Sequence, residues 1–252
     1  IRNKFQNTIF FGAVHTPANS SLFNLKVFPG DPSELKIKNG RKMPDFICAL
    51  SENSRTTLIN GGWPSKNIII TEALRYIESL NTEVTKTDNT PKNLLVVTGS
   101  ILKEVEQQLQ ILFEFEKNSN NYFDNILIKP HPIIPIDNFI KKNATSTNIK
   151  ITNLSLKELW SNANVVFTAN STSVGLESYY LGLPLIVTGA TENFNLNSLF
   201  GTKDVYFINS TNEFTNVLEN LKNNYNSKSV ENENIFCIDN NIPIWKNILN
   251  AN

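Results

Sequence analysis

Cysteine and histidine are scarce in this chain. Its 252 residues hold two of each, Cys48 and Cys237, His15 and His131. The cysteines stand far apart without a metal-type spacing, which argues against a disulfide scaffold and for a reducing cytoplasm. An excess of one charge is also missing. Lys plus Arg and Asp plus Glu both number 23, so no overall basic field points to nucleic acid or to an anionic membrane. No apolar run approaches the roughly 20 residues of a membrane span, and the opening residues carry no secretory pattern. Absent too are a Gly-x-Gly-x-x-Gly fingerprint, a Walker loop, a zinc spacing and the kinase set. No carboxylate cluster offers itself to a divalent cation, so neither metal nor cofactor is expected.

What is present is a regular alternation of apolar runs and helical periods. The length suits one large or two modest domains. Ile1-Arg2-Asn3-Lys4-Phe5 reads like the middle of a protein, and an incomplete N-terminal domain is expected. Thr8–Val14 predicts a buried strand, and 16–45, rich in Pro, Gly, Ser and Asn, predicts loops with a strand at Leu25–Phe28. Phe46–Leu50 predicts a strand. Ser51 then caps a helix through Leu58-Ile59 that stops at Gly61-Gly62, and Asn67–Thr71 returns as a strand. Glu72–Leu80 predicts a short helix, and the polar stretch 81–92 a linker.

A second series follows. Leu94–Val97, Asn125–Ile128, Ile149–Ile151, Val165–Phe167, Leu185–Val187 and Val205–Ile208 predict strands. Helices are predicted at Ile101–Phe115, Leu156–Trp160, Val174–Leu181, Glu213–Asn223 and Ile244–Leu249. Alternating strands and helices predict an α/β fold with mostly parallel sheets. The expected organisation is 1–80 as a partial N-terminal Rossmann-like domain, 81–92 as linker and 93–252 as a C-terminal Rossmann-like domain. The last helix is expected to fold back on the first domain, and ligands to bind in the cleft that the domains face.

The chemistry gathers at strand ends. Ile126-Leu127-Ile128 runs into Lys129-Pro130-His131-Pro132, where two prolines fix φ and stiffen a corner that carries a cation and an imidazole. In an open α/β sheet this carboxyl edge is where nucleotides bind. About forty residues later, Thr168-Ala169-Asn170 leads into Ser171-Thr172-Ser173 at a helix start. Free N–H groups and hydroxyls suit an anion there; the plain alternative is an N-cap, which needs only one hydroxyl. Glu177, one turn on, suits ribose hydroxyls or solvent. Thr98-Gly99-Ser100 is the equivalent corner of the first strand after the linker, with a glycine that lets a backbone approach a ligand. His15 lies near the end of the first strand and suits activation of an acceptor hydroxyl, the holding of a donor carboxylate, or a local hydrogen bond. Asp31 and Glu52 stand near strand ends without a reason to choose between them, and Trp63 and Trp160 read as packing residues.

Taken together these segments resemble the GT-B glycosyltransferases, in which two Rossmann-like domains face each other and the second binds the nucleotide. Phe46–Thr71, with Gly62-Trp63-Pro64 and Lys66, resembles the last unit of a GT-B N-terminal domain. Ser171–Glu177, followed by Leu181-Gly182-Leu183-Pro184, resembles the family's nucleotide-diphosphate helix, with Thr172-Ser173 where many members have two glycines. The resemblance implies that Ser171, Thr172 and Ser173 meet phosphate and that Glu177 meets ribose. His131-Pro132 is similar to the His-Pro motif of bacterial sialyltransferases and capsule Kdo transferases, which implies that His131 contacts the phosphate of a CMP donor. The acidic catalytic motif of the sialyltransferases is not evident, so the general base is unassigned. Pro64–Tyr76 is also similar to bacterial surface-carbohydrate biosynthesis proteins.

The expectation is a metal-independent transferase of bacterial surface polysaccharide synthesis. It moves a nonulosonic acid or Kdo from a CMP-activated donor to a glycan or glycolipid acceptor, in the cytoplasm or at the inner face of the membrane. The alternatives are a UDP-sugar or CDP-glycerol-type transferase, and a non-catalytic nucleotide-binding scaffold. His131 and His15 are the candidate catalytic residues. Lys129, Pro132, Thr98, Gly99, Ser100, Ser171, Thr172, Ser173 and Glu177 are the candidate binding residues.

Overall fold

A computed structural model describes residues 9–14, 44–81, 92–119, 122–143, 147–190, 197–223 and 235–250. His15, Asp31, the expected strand at Leu25–Phe28 and all but the two ends of the expected linker lie outside these. The chain divides into two compact units, Ile1–Ile77 with Glu231–Asn252, and Glu78–Val230. Among the described residues no helix is long and apolar enough to cross a membrane.

The first unit holds a parallel sheet of β1 (Phe11–Ala13), β2 (Phe46–Ala49) and β3 (Ile68–Ile70), in that spatial order. Between β2 and β3 runs α1 (Glu52–Asn60), whose N-cap Ser51 accepts the Ser54 N–H at 3.1 Å. A small core of Ile47, Ala49, Leu58, Trp63 and Ile68 closes around it. Contrary to the expectation of a buried strand, β1 is only half-buried, with Phe11 exposed, and is an outer strand of the sheet among the described residues. An apolar run signals a strand but does not tell an edge from a centre.

Glu72 departs from the sequence reading as well. It precedes the helix α2 (Leu74–Leu80) and is buried. Its carboxylate accepts the N–H groups of Ile244 and Trp245 at 2.7 and 3.1 Å, and so caps the C-terminal helix α8 (Pro243–Asn250). Its carbonyl takes the indole N–H of Trp245 at 2.8 Å.

The second unit is built on six parallel strands: β4 (Asn93–Val97), β5 (Asn125–Lys129), β6 (Ile149–Ile151), β7 (Val165–Thr168), β8 (Leu185–Thr188) and β9 (Val205–Ile208). Their spatial order is β6-β5-β4-β7-β8-β9. Numbered from its own first strand this is 3-2-1-4-5-6, the doubly wound Rossmann order, whose direction reverses between β4 and β7. One face packs on α3 (Leu102–Ser119) and α7 (Thr211–Asn223). There Leu94, Val96, Ile126, Ile128, Val165 and Phe167 meet Leu109, Leu112, Phe214 and Leu218.

The opposite face, with Leu95, Val97, Val166, Leu185 and Val187, is buried as well. That two-sided burial is why the strands are apolar without alternation. On this side α6 (Val174–Tyr180) packs on β7 and β8. Gly175 faces Thr168 and Leu185 there, and a Cβ on it would make ordinary contact with both, 3.4 Å from Thr168 Oγ1 and 3.5 Å from Leu185. The described part of the unit also holds α4 (Asp137–Asn143), which has too little apolar periodicity to be read from sequence, and α5 (Leu156–Trp160), opened by a Ser155/Glu158 capping box. Trp63 and Trp160 are both buried, as packing residues should be.

Candidate functional site at the switch point

Where the strand order reverses, the loops leaving neighbouring strands diverge and open a crevice at the carboxyl edge. In this chain those loops begin at Thr98, after β4, and at Ala169, after β7. They run unusually close. A Cβ on Gly99 would lie 2.5 Å from Ser171 Oγ and 3.0 Å from Ala169 Cβ, so any larger residue here must turn the Ser171 hydroxyl aside and press on Ala169. Behind these loops, the buried Gln108 of α3 donates from Nε2 to the carbonyls of Phe167 at 3.0 Å and Val97 at 3.3 Å. It ties the two strand ends together.

The β5 corner is fastened to β4. Thr98 is buried, its N–H donates to the Lys129 carbonyl at 3.2 Å, and its Oγ1 accepts the His131 N–H at 2.8 Å. The corner then turns, with the Ile134 N–H donating to the His131 carbonyl at 3.0 Å. His131 Nδ1 accepts the Ile133 N–H at 3.4 Å. With Nδ1 used as an acceptor, the neutral ring carries its proton on Nε2, which becomes a donor. Pro132 is exposed beside it.

At the β7 corner the Ser171 N–H donates to Glu104 Oε2 at 3.0 Å, which brings a carboxylate from the first turn of α3 across to the β7 loop. Ser173 occupies the N-cap position of α6 with helical dihedrals and no side-chain cap bond. Thr172 Oγ1 accepts the Val174 N–H instead, at 3.3 Å. One hydroxyl therefore serves the helix start. Asn170, buried behind this loop, has a side-chain oxygen without a partner among the described residues, as does the Thr168 hydroxyl.

The candidate residues thus separate. Thr98, Gly99, His131 and Ser171 are gathered around the ends of β4, β5 and β7, with Thr172 and Ser173 continuing the β7 loop and Ser100 exposed beside Gly99. Lys129 turns away, and its ammonium donates to the Leu154 carbonyl in the β6–α5 loop at 2.5 Å. Nearby, hydrogen bonds from Ser155 hold the Glu158 carboxyl below the usual range, and the Lys129 charge adds a smaller effect in the same direction. Glu177 is buried, and its Oε2 accepts the Ser79 hydroxyl at 2.9 Å. Glu52 is an exposed helix acid paired with Arg55 at 2.9 Å.

Glu104 and Gln108 were not among the sequence candidates. A signal existed. They are polar residues at i and i+4 beside the stripe of Ile101, Val105, Leu109 and Leu112, and so share one face of α3. Among the described residues no three His, Cys, Asp or Glu side chains form a group able to hold a metal ion.

No family model matches the chain, and no curated protein matches it. Solved structures do. UDP-GlcNAc 2-epimerase of Methanocaldococcus jannaschii, in complex with UDP-GlcNAc and UDP, is 16% identical with a TM-score of 0.58, over 83% of this chain and 62% of that one. UDP-GlcNAc 2-epimerase of Neisseria meningitidis, bound to UDP-GlcNAc, is 16% identical with a TM-score of 0.57, over the same shares of 83% and 62%. The pneumococcal O-GlcNAc transferase GtfA, in complex with UDP and GlcNAc, is 15% identical with a TM-score of 0.52, over 88% of this chain and 45% of that one. The chain therefore has a GT-B-like fold of Rossmann type, and it spans about three fifths of the length of the epimerases it resembles.

Proposed function

We propose that this chain is the nucleotide-binding part of a GT-B-type enzyme that transfers a sugar from a pyrimidine-nucleotide donor to a glycan acceptor. The observation that carries the reading is the coincidence of the switch point with the tight approach of Gly99 to Ser171. A phosphate that settles there meets backbone N–H groups of both loops, and the Nε2–H of His131 stands on the adjoining corner. In the transfer, the acceptor oxygen bonds to the anomeric carbon while the bond from that carbon to the phosphate oxygen breaks. The electron pair leaves with the nucleotide, and the acceptor proton passes to a base not assigned in this chain. Donors aimed at the leaving phosphate stabilise the charge that builds on it, usually the largest contribution to such catalysis.

Two nucleotides fit the reading. UDP is favoured by the UDP and UDP-GlcNAc complexes of proteins with this fold. CMP, as the carrier of a nonulosonic acid or Kdo for surface polysaccharide, is favoured by the His131-Pro132 corner.

Thermal-shift measurements with UDP, CMP, CDP and GDP test the donor. Stabilisation by UDP or CMP and not by GDP is expected, and stabilisation by GDP alone contradicts a pyrimidine donor. Replacing His131 by Ala is expected to lower donor turnover by roughly a hundredfold. Unchanged turnover removes His131 from the chemistry, and a chain that binds nucleotide without turning it over is a scaffold.

A further inference from the structure

The Ser171 N–H lies in the loop that the proposed function gives to phosphate, yet it is already occupied. Glu104 Oε2 accepts it at 3.0 Å. The same oxygen would stand 3.6 Å from a Cβ on Gly99, so the carboxylate lies in the gap between the β4 and β7 loops. A carboxylate and a phosphate oxygen are both anionic acceptors that seek backbone donors, and only one of them can fill that place. Two anions left side by side repel.

We infer that Glu104 is a built-in competitor of the nucleotide phosphate, which holds the Ser171 amide until the phosphate displaces it. The inference rests on the proposed function. Its consequence is that Glu104 weakens phosphate binding and leaves recognition of the nucleoside alone. Glu104 belongs to an eighteen-residue helix whose buried residues include Val105, Gln108 and Leu109, so it can rotate off Ser171 without disturbing the packing of α3.

The test compares UDP, CMP and uridine binding to the full chain, with Glu104 as found and as Glu104→Gln and Glu104→Ala, by isothermal titration calorimetry. Both variants are expected to bind whichever nucleotide the native chain binds about five- to tenfold more tightly, with uridine binding unchanged. Equal or weaker nucleotide binding in a folded variant overturns the inference and leaves the proposed function standing, and Glu104 is then a structural strut of the β7 loop. A parallel gain for uridine also overturns it, because the effect is then not on phosphate. If no variant, nor the native chain, binds either nucleotide, the proposed function falls and the inference with it. Thermal unfolding of each variant identifies a misfolded protein, and Glu104→Gln, which keeps the side-chain shape, decides the matter should Glu104→Ala fail to fold.

Discussion

The chain leaves β5 through Lys129-Pro130-His131 and leaves β7 through Ala169-Asn170-Ser171, and the two exits are alike in sequence. Each is an apolar strand that stops at a polar corner. What secures them differs. The β5 corner is fixed through its backbone, by Thr98 on the His131 N–H, and its cation is spent on the Leu154 carbonyl. The β7 corner is fixed through a charge, by Glu104 on the Ser171 N–H. A corner held by a neutral hydroxyl keeps its shape when a ligand arrives. One held by a carboxylate must exchange partners before an anion can use it.

The change expected to disturb this comparison most is Gly99→Val. Its side chain would occupy the space of Ser171 Oγ and Ala169 Cβ and push the two loops apart. Overpacking of this kind costs about 1 to 3 kcal/mol, and nucleotide binding should fall by more than about tenfold, a factor equivalent to 1.4 kcal/mol. Calorimetric titration beside a denaturant melt reads both, and native affinity in a folded variant would show that the loops' closeness is irrelevant to ligand. Thr98→Val acts on the β5 corner alone. It removes the acceptor of the part-buried His131 N–H, a bond worth about 0.5 to 1.5 kcal/mol. Turnover should drop while nucleotide affinity changes little, and steady-state kinetics that put the loss in KM would argue against a positioning role.

The smallest expected effect belongs to Glu116, which lies away from both corners and accepts the Asn148 amide at 3.4 Å. Burial pushes its carboxyl above the usual range, and the Asn148 hydrogen bond opposes this only in part. The folded chain therefore holds this proton more tightly than the unfolded one. That contribution is fully present below the unfolded carboxyl pKa of about 4.3 and is lost as pH rises through the raised folded value. Glu116→Gln should raise the melting temperature relative to the native chain at neutral pH and lose its advantage in acid, with nucleotide binding unaltered. A constant difference across that range would contradict the assignment to burial.

Much of this arrangement was legible in the sequence. The apolar runs located all six strands of the second unit, and their polar ends marked the carboxyl edge before any topology was known. The partners of those ends were less legible, because a hydrogen bond between strands distant in sequence leaves no local pattern. Lys129 illustrates a pattern that was present but needed the fold. Ile126 and Ile128 face α3, so a two-residue period sets Lys129 on the other face with Leu127, and its ammonium meets the β6–α5 loop. Ser171-Thr172-Ser173 offered three hydroxyls at one helix start; Ser173 takes the N-cap position without a side-chain bond, and Thr172 accepts the first helical N–H. Glu72 read as the start of a helix and instead caps another one 172 residues on. A tertiary contact overrode local propensity there.

Amide chemical-shift mapping of the full chain titrated with UDP, repeated with CMP, tests the central claim most directly. The largest shifts are expected on Gly99, His131 and Ser171, at the ends of three neighbouring strands of one sheet. Shifts concentrated at the opposite edge of that sheet, around Asn93 and Asn125, or no shifts with either nucleotide, would contradict it.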